Sequence, residues 1–166
     1  LLSKGHGAPG LFQVLAERGF FEKERLNEFG QPGSVFHEHP PKPGYIPGVE
    51  AATGSLGHGF PMALGMAVSA KIKSNNYRCY AMLSDGECNE GSIWEAALLA
   101  PSLNLDNLTV IVDFNKWKTI VSGLAKDSEN PSSANGDLDT ILTNLEDKIV
   151  ILSTRFLNSL TFPGQL

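Results

Sequence analysis

Two short apolar runs separated by a helix-like segment form the clearest pattern in the chain. The first run, Tyr80–Leu83, stops at the polar sequence Ser-Asp-Gly-Glu, and the second, Leu108–Val112, stops at Asp-Phe-Asn. Residues 93–100, between the two runs, have the pattern of a helix. Two strands connected in this way are typical of a right-handed βαβ unit, in which the strands run parallel. The pattern therefore predicts an α/β fold with a parallel sheet flanked by helices.

Polar residues follow both predicted strands. Asp85 comes shortly after the first strand and Asn115 shortly after the second. The carboxyl ends of parallel strands meet at one edge of the sheet, where open α/β sheets bind their ligands, so we expect both side chains there. A carboxylate and a carboxamide suit a hard cation such as Mg²⁺, which usually carries phosphate oxygens as further ligands.

The chain before this unit alternates loops with helices. The glycines of Ser3–Gly10 indicate a loop. The apolar positions after this loop predict a helix that ends at Gly19. A short charged helix is expected over residues 22–29 and a buried helix over residues 62–72. Between them, residues 30–59 lose all periodicity and are rich in Gly, Pro and His. Scattered apolar residues in a loop of this length favour an ordered, ligand-facing segment.

The character of the chain changes after Ile120. Residues 122–139 are rich in Ser, Asn, Asp and Gly and contain little that a core would bury. Over residues 138–160 the apolar positions recur at roughly helical spacing, which predicts an amphipathic helix. Within that span, Ile149–Leu152 is equally consistent with a strand.

The composition of the chain argues against a nucleic-acid-binding or a membrane-spanning protein. The 166 residues are 42% hydrophobic, which is enough for one domain to bury a core. The 13 basic and 18 acidic residues leave a net charge of -5 with no basic cluster, which argues against a nucleic-acid partner. No apolar stretch approaches the length of a membrane span. Cys79 and Cys88 form no C-x-x-C pair, so we expect a reduced, cytoplasmic protein with Cys79 in its core.

Several motifs together indicate a family. A strand ending in Asp-Gly, followed by a second strand ending in Asn, is the pattern of thiamine diphosphate enzymes, and the surrounding motifs resemble transketolases. The segments that carry this resemblance span most of residues 2–117: Ser3–Gly7, Gly33-Ser34 with His39-Pro40, Pro47–Glu50 with Thr53–Gly57, Asp85–Gly91 and Asn115–Trp117. The sequences Asn115–Trp117 and Ser92–Ala97 are most similar to those of bacterial transketolases split into two subunits. The resemblance implies that residues 1–120 form the N-terminal, diphosphate-binding half of such an enzyme.

The resemblance also implies a metal and diphosphate site at the end of the βαβ unit. Asp85 and the side chain of Asn115 would ligate Mg²⁺, with the backbone carbonyl of Trp117 as a further ligand. Gly86 would let the diphosphate approach the backbone closely, since a Cβ atom would intrude there. His6 would hydrogen-bond the diphosphate.

Further residues are implied for the substrate and for the rest of the cofactor. His39 would contact the hydroxyl groups of the donor ketose. His6 and His39 are the catalytic candidates, because imidazoles exchange protons near neutral pH. Gly54 and Leu56 would line the cofactor pocket, with the Gly54 carbonyl facing the aminopyrimidine. Glu90 would link this half to its partner domain through a network of carboxylates and water.

The implied activity is transfer of a two-carbon ketol unit from a ketose phosphate to an aldose, a reaction of pentose phosphate metabolism. Thiamine diphosphate would supply the carbanion, and the protein would supply binding, orientation and electrostatics. The cofactor would lie between this domain and a pyrimidine-binding domain on a C-terminal partner subunit, in a homo- or hetero-oligomer. We therefore expect the isolated chain to be inactive.

Other interpretations stay open at this point. The chain could belong to a deoxyxylulose-phosphate synthase or to the α-subunit of an oxo-acid dehydrogenase, although the sequences His39-Pro40 and Thr53–Gly57 disfavour both. It could instead be a degenerate, non-catalytic fragment. His37 and His39 could also form a transition-metal pair, but no third ligand follows at a suitable spacing.

Parts of the chain depart from the family pattern. Glu38 replaces the glycine that precedes the donor-loop histidine, and we expect an upstream segment with a further histidine to be missing. Residues 121–166 match nothing in the family, so we expect an unrelated tail there. A frame shift or an aberrant gene end is our hypothesis for its origin.

Overall fold

The structure, a computed structural model, describes residues 1–114 and the backbone of residues 149–153. Within these ranges the helices and strands, in chain order, are α1 (Ala8–Glu17), α2 (Gly59–Ile72), β1 (Cys79–Ser84), α3 (Gly91–Ser102), β2 (Leu108–Asp113) and β3 (Ile149–Ser153). Short 3-10 turns lie at Gly5–Gly7, Lys23–Glu28 and Asp85–Asn89. No helix in these ranges has the length and apolar character needed to cross a membrane.

β1 and β2 form the parallel pair that the apolar pattern predicted. Their register runs from Cys79 opposite Leu108 to Ser84 opposite Asp113, so both strands end level at the same edge of the sheet. α3 connects them as the crossover helix, which confirms the βαβ unit. The edge at Ser84 and Asp113 is called the carboxyl edge below.

A third strand makes the described sheet mixed. β3 lies beside β2 and runs antiparallel to it, with Asp113 opposite Ile149. The parallel prediction concerned β1 and β2, and the sequence pattern predicted no direction for a strand over residues 149–152. Residues 149–153 adopt the strand alternative rather than the helical one. The rest of the predicted helix over residues 138–160, and of the tail 121–166, lies outside the described residues.

The first residues of the chain run along the other side of β1. Leu2 forms a parallel bridge with Met82, and the N–H groups of Ser3 and Lys4 donate to the Met82 carbonyl at 2.8 and 3.1 Å. Because this pairing is also parallel, the chain leaves the sheet at the carboxyl edge. The Gly-rich loop that contains His6 therefore begins beside the end of β1.

The main core lies between one face of the sheet and helices α2 and α3. Alternate residues of each strand point into it, as the twofold period of a strand requires, and its strand members are Cys79, Ala81, Leu83, Leu108, Val110 and Val112. α2 begins at Gly59, earlier than predicted, and it is buried along one face, whose residues are Gly59, Phe60, Ala63, Leu64, Ala67 and Ala70. Met62 and Ile72 on α2 are 38% and 79% exposed.

A second cluster orders the long loop before α2. Phe36, Ile46 and Val49 of the loop are buried against Ala8, Phe12 and Leu15 of α1. The rings of Phe12 and Phe36 meet edge to face with their centroids 5.3 Å apart. The loop is therefore ordered, as predicted, because its apolar side chains hold an otherwise irregular backbone in place.

Substitution of two leucines should change the free energy of unfolding by very different amounts, because only one of them lies in the core. Leu83 is 1% exposed in β1, whereas Leu98 is 53% exposed on α3. Leu83→Ala should lower the free energy of unfolding by about 2–5 kcal/mol, because it removes buried methyl groups and leaves a cavity. Leu98→Ala serves as the matched control and should change it by less than about 0.5 kcal/mol. Urea unfolding of both variants measures the difference, and equal losses would contradict this assignment of the core.

The two cysteines should differ in reactivity. Burial raises the pKa of the Cys79 thiol, so less of it is thiolate at neutral pH, and the side chain is 8% exposed. Cys88 is only half-buried. Since the thiolate is the reactive form, iodoacetamide should modify Cys79 more slowly than Cys88 in the folded chain. Peptide mass spectrometry after timed alkylation measures both rates, and faster labelling of Cys79 would contradict its place in the core.

Candidate functional site

Three segments meet at the carboxyl edge. They are residues 3–7, residues 53–59 and residues 84–90, and together they are called the three-loop cluster. The Thr53 hydroxyl donates to the carbonyl of Leu2, the residue directly before the first segment, at 2.8 Å. A Cβ atom on Gly5 would lie 2.5 Å from the Thr53 carbonyl group, so only glycine allows the two backbones to come this close.

A buried carboxylate, Glu87, joins the three segments. Its side chain is fully buried. Oε1 accepts hydrogen bonds from the Ser3 hydroxyl at 2.7 Å and from the Gly57 N–H at 3.2 Å. Oε2 accepts from the Ser84 N–H at 3.1 Å, while the Ser84 hydroxyl accepts from the Glu87 N–H at 3.3 Å. One side chain therefore fixes the positions of all three segments.

The sequence predicts no role for Glu87 in joining the three segments. The local signal was present, because Ser84 and Glu87 have the Ser-x-x-Glu spacing of a capping box, and the structure contains that box. The spacing predicts only the bonds between these two residues. The bonds to Ser3 and Gly57 join positions 84 and 30 residues apart, which no local pattern indicates.

The two predicted catalytic histidines lie against each other. The rings of His6 and His39 are edge to face with their centroids 4.6 Å apart. Gly54 lies beside them with a φ angle of 154°, and a Cβ atom there would be 2.7 Å from Cδ2 of His39. The structure thus brings together His6, His39 and Gly54, which come from three separate motifs.

Asp85 begins the turn that follows β1. The residue is 8% exposed, and its Oδ1 accepts a hydrogen bond from the Gly86 N–H at 3.0 Å. Asn115 and Trp117, the other predicted metal ligands, lie outside the described residues, so their approach to Asp85 stays a prediction.

An ion pair closes the other side of the carboxyl edge. Lys4 donates to the Asp113 carboxylate at the end of β2, and both side chains are partly buried. The first segment of the cluster is therefore held both by Glu87, after β1, and by Asp113, the last residue of β2. The sequence analysis assigned no role to Lys4 or Asp113.

Leu56 and Glu90 lie where the second and third segments touch. The Ser92 hydroxyl donates to the Gly57 carbonyl at 2.7 Å, and a Cβ atom on Gly57 would be 2.8 Å from Cβ of Glu90. Leu56 and Glu90 are both half-buried at this contact. Glu90 thus adjoins the loop that contains Gly54 and Leu56.

The described residues place no third metal ligand beside His37 and His39, the suggested transition-metal pair. Among the described residues, no group of three or more His, Cys, Asp or Glu side chains is arranged to hold a metal ion. His37 and Glu38 are exposed, and His39 is half-buried next to His6 and Gly54.

Comparison with known proteins identifies the family of the chain. Residues 1–132 match the family described as "Transketolase, thiamine diphosphate binding domain". The chain is 45% identical to one subunit of the apulose-4-phosphate transketolase of Actinobacillus succinogenes over 125 residues, which cover 75% of this chain and 44% of that protein. It is 40% identical to the 6-deoxy-6-sulfo-D-fructose transketolase subunit SqwG of Clostridium sp. (strain MSTE9), over 71% of this chain and 42% of that protein.

A mammalian relative and a solved structure are similar to the chain as well. Human transketolase is 44% identical over 118 residues, which cover 70% of this chain and 18% of that protein. The crystal structure of transketolase from Campylobacter jejuni superposes with a TM-score of 0.66 at 33% identity, over 78% of this chain and 22% of that one. The chain therefore spans less than half the length of these relatives.

Two glycine substitutions should change the free energy of unfolding in opposite directions, because only Gly54 lies in contact with His39. Gly54→Ala places a Cβ atom against the His39 ring at an unfavourable φ, so it should lower the free energy of unfolding by about 1–3 kcal/mol. Gly65→Ala, in the middle of α2 with open space around the added Cβ, should raise it by about 0.5–1 kcal/mol. Urea unfolding measures both changes. NMR spectra of the His6 and His39 rings should shift only in Gly54→Ala, and unchanged spectra would contradict the contact.

Proposed function

The chain belongs to the transketolase family, and on that premise we propose that it forms the diphosphate-binding half of a thiamine diphosphate-dependent ketol transferase. The reaction would move a two-carbon ketol unit from a ketose phosphate donor to an aldose acceptor, as in pentose phosphate metabolism. The observation that carries the proposal is the three-loop cluster, which gathers His6, Gly54 and Asp85 at the carboxyl edge.

The residues at this edge fit a magnesium diphosphate. The Asp85 carboxylate is a hard oxygen ligand next to Gly86, whose lack of a side chain leaves room for a phosphate group. His6 is exposed, so its ring is accessible to an anion. Asn115, through its side chain, and Trp117, through its carbonyl, are the proposed further ligands of Mg²⁺.

The remaining site residues suit the other parts of the cofactor and the donor sugar. Thiamine diphosphate supplies a stabilised carbanion when it is bound. His39 would orient the donor through its hydroxyl groups and exchange protons with them. Gly54 and Leu56 would line the pocket, with the Gly54 carbonyl towards the aminopyrimidine, and Glu90 would contact the partner domain.

A second subunit is part of the proposal. Two of the relatives are named as subunits of transketolases rather than as whole enzymes. We propose that a C-terminal subunit with a pyrimidine-binding domain completes the site, that the assembly is an oligomer, and that it works in the cytoplasm. The names of these two relatives contain apulose-4-phosphate and 6-deoxy-6-sulfo-D-fructose, which supports a sugar or sugar phosphate as the donor class.

Binding of thiamine diphosphate should depend on Mg²⁺, on Asp85 and on the partner. In calorimetric titrations of the full chain co-expressed with a C-terminal transketolase subunit, we expect binding of the cofactor and turnover of a donor ketose. The chain alone should show neither. Asp85→Asn should weaken Mg²⁺-dependent binding by more than about tenfold, since even outer-shell partners of a metal have effects of that size.

Asp106→Asn is the matched control for this experiment. Asp106 lies on the surface and pairs with Lys71 at 2.9 Å, so its substitution should leave cofactor binding unchanged. Equal binding by Asp85→Asn and wild type would contradict the proposed metal site. Absence of binding in every combination would instead support a degenerate, non-catalytic fragment.

A further inference from the structure

Glu87 is a fully buried carboxylate to which the proposed chemistry assigns no step. Its three partners are all hydrogen-bond donors: the Ser3 hydroxyl, the Gly57 N–H and the Ser84 N–H. Hydrogen bonds to a charged acceptor are stronger than those between neutral groups. The side chain therefore holds its partners more firmly than a neutral residue of the same shape.

An amide in place of this carboxylate could not satisfy the same partners. Oε1 faces two donors and Oε2 faces one, so the NH₂ group of a glutamine would oppose an N–H group in either orientation. If the NH₂ group replaced Oε1, it would face the Gly57 N–H, and if it replaced Oε2, it would face the Ser84 N–H. Glu87→Gln thus removes one bond, and adds a donor–donor contact, with almost no change in volume.

Each partner of Glu87 lies close in sequence to a proposed cofactor contact. His6 follows Ser3 by three residues, and Asp85 follows Ser84 directly. Leu56 directly precedes Gly57. A change in the position of any of the three partners therefore displaces a residue that the proposed function places against the cofactor.

We infer that Glu87 is a positioning residue, which assembles the cofactor-facing segments before thiamine diphosphate binds. The inference rests on the proposed function. Sites held within a fraction of an ångström by such supporting bonds bind more tightly, because little ordering remains when the ligand arrives. Ser3 takes part in the same role, since it is the link from Glu87 to the segment that contains His6.

Three variants of the full chain test this role: Glu87→Gln, Ser3→Ala and the double variant. Calorimetry with Mg²⁺ and the C-terminal partner gives their affinity for thiamine diphosphate, at a temperature well below every unfolding midpoint. Glu87→Gln should weaken binding by about tenfold, as supporting bonds around a metal site do. Ser3→Ala should have a smaller effect, because it removes one hydrogen bond without adding a donor–donor contact. The effects of the two changes should be non-additive in the double variant, because both residues belong to one hydrogen-bond network.

Hydrogen exchange of the full chain without cofactor or partner provides a second readout. In Glu87→Gln the amides of residues 3–7 and 53–58 should exchange faster, while those of α2 and α3 keep their wild-type rates. Glu24→Gln is the matched control, because Glu24 is exposed in the turn Lys23–Glu28, far in sequence from the cluster. It should behave as wild type in both measurements.

The outcomes separate this inference from the proposed function. A lower unfolding temperature for Glu87→Gln with unchanged affinity and exchange would show a purely structural role and overturn the inference, while the proposed function stands. Wild type that binds no thiamine diphosphate would overturn the proposed function. The exchange rates then decide about Glu87 alone: faster exchange in both segments supports its positioning role, and unchanged exchange overturns it.

Discussion

A carboxylate removed from water is stable only when hydrogen-bond donors replace the lost hydration, since an unsatisfied buried charge costs several kcal/mol. Glu87 meets this requirement with donors from three segments that are far apart in the chain. The need to satisfy one buried group thus holds the Gly-rich loop, the loop before α2 and the end of β1 in a single arrangement. His6, Gly54 and Asp85 owe their proximity to it.

Parallel pairing supplies the frame on which this arrangement rests. Leu2 pairs with β1 on one side and β2 pairs with it on the other, and both pairings are parallel. The residues that follow Leu2, β1 and β2 therefore all leave the sheet at the same edge, where the Lys4–Asp113 ion pair spans the end of β1. In an antiparallel arrangement the residues after each strand would have pointed to opposite edges, and no common site would form.

The long loop shows how irregular backbone can be placed accurately without helices or strands. Its buried residues Phe36, Ile46 and Val49 pack on α1, while His39, between them, stays at the site beside His6. Apolar anchors thus hold the polar, ligand-facing positions in place. The chain belongs to the transketolase family and spans less than half of the length of the two subunits that it resembles.

Local sequence was sufficient for the βαβ unit, the helix after the Gly-rich loop and the turn that begins at Asp85, because strand and helix periods and turn residues act over a few neighbours. The motifs also identified the family and the candidates His6, His39, Gly54 and Asp85.

Only the tertiary structure decided that β3 runs antiparallel, that α2 buries one face, and that Glu87 and Lys4 join the segments. These features depend on contacts between residues that are distant in the chain, such as Ser3 and Glu87, 84 positions apart. No repeating pattern in the sequence indicates the hydrogen bond between them. It exists only because parallel pairing brings both residues to the same edge.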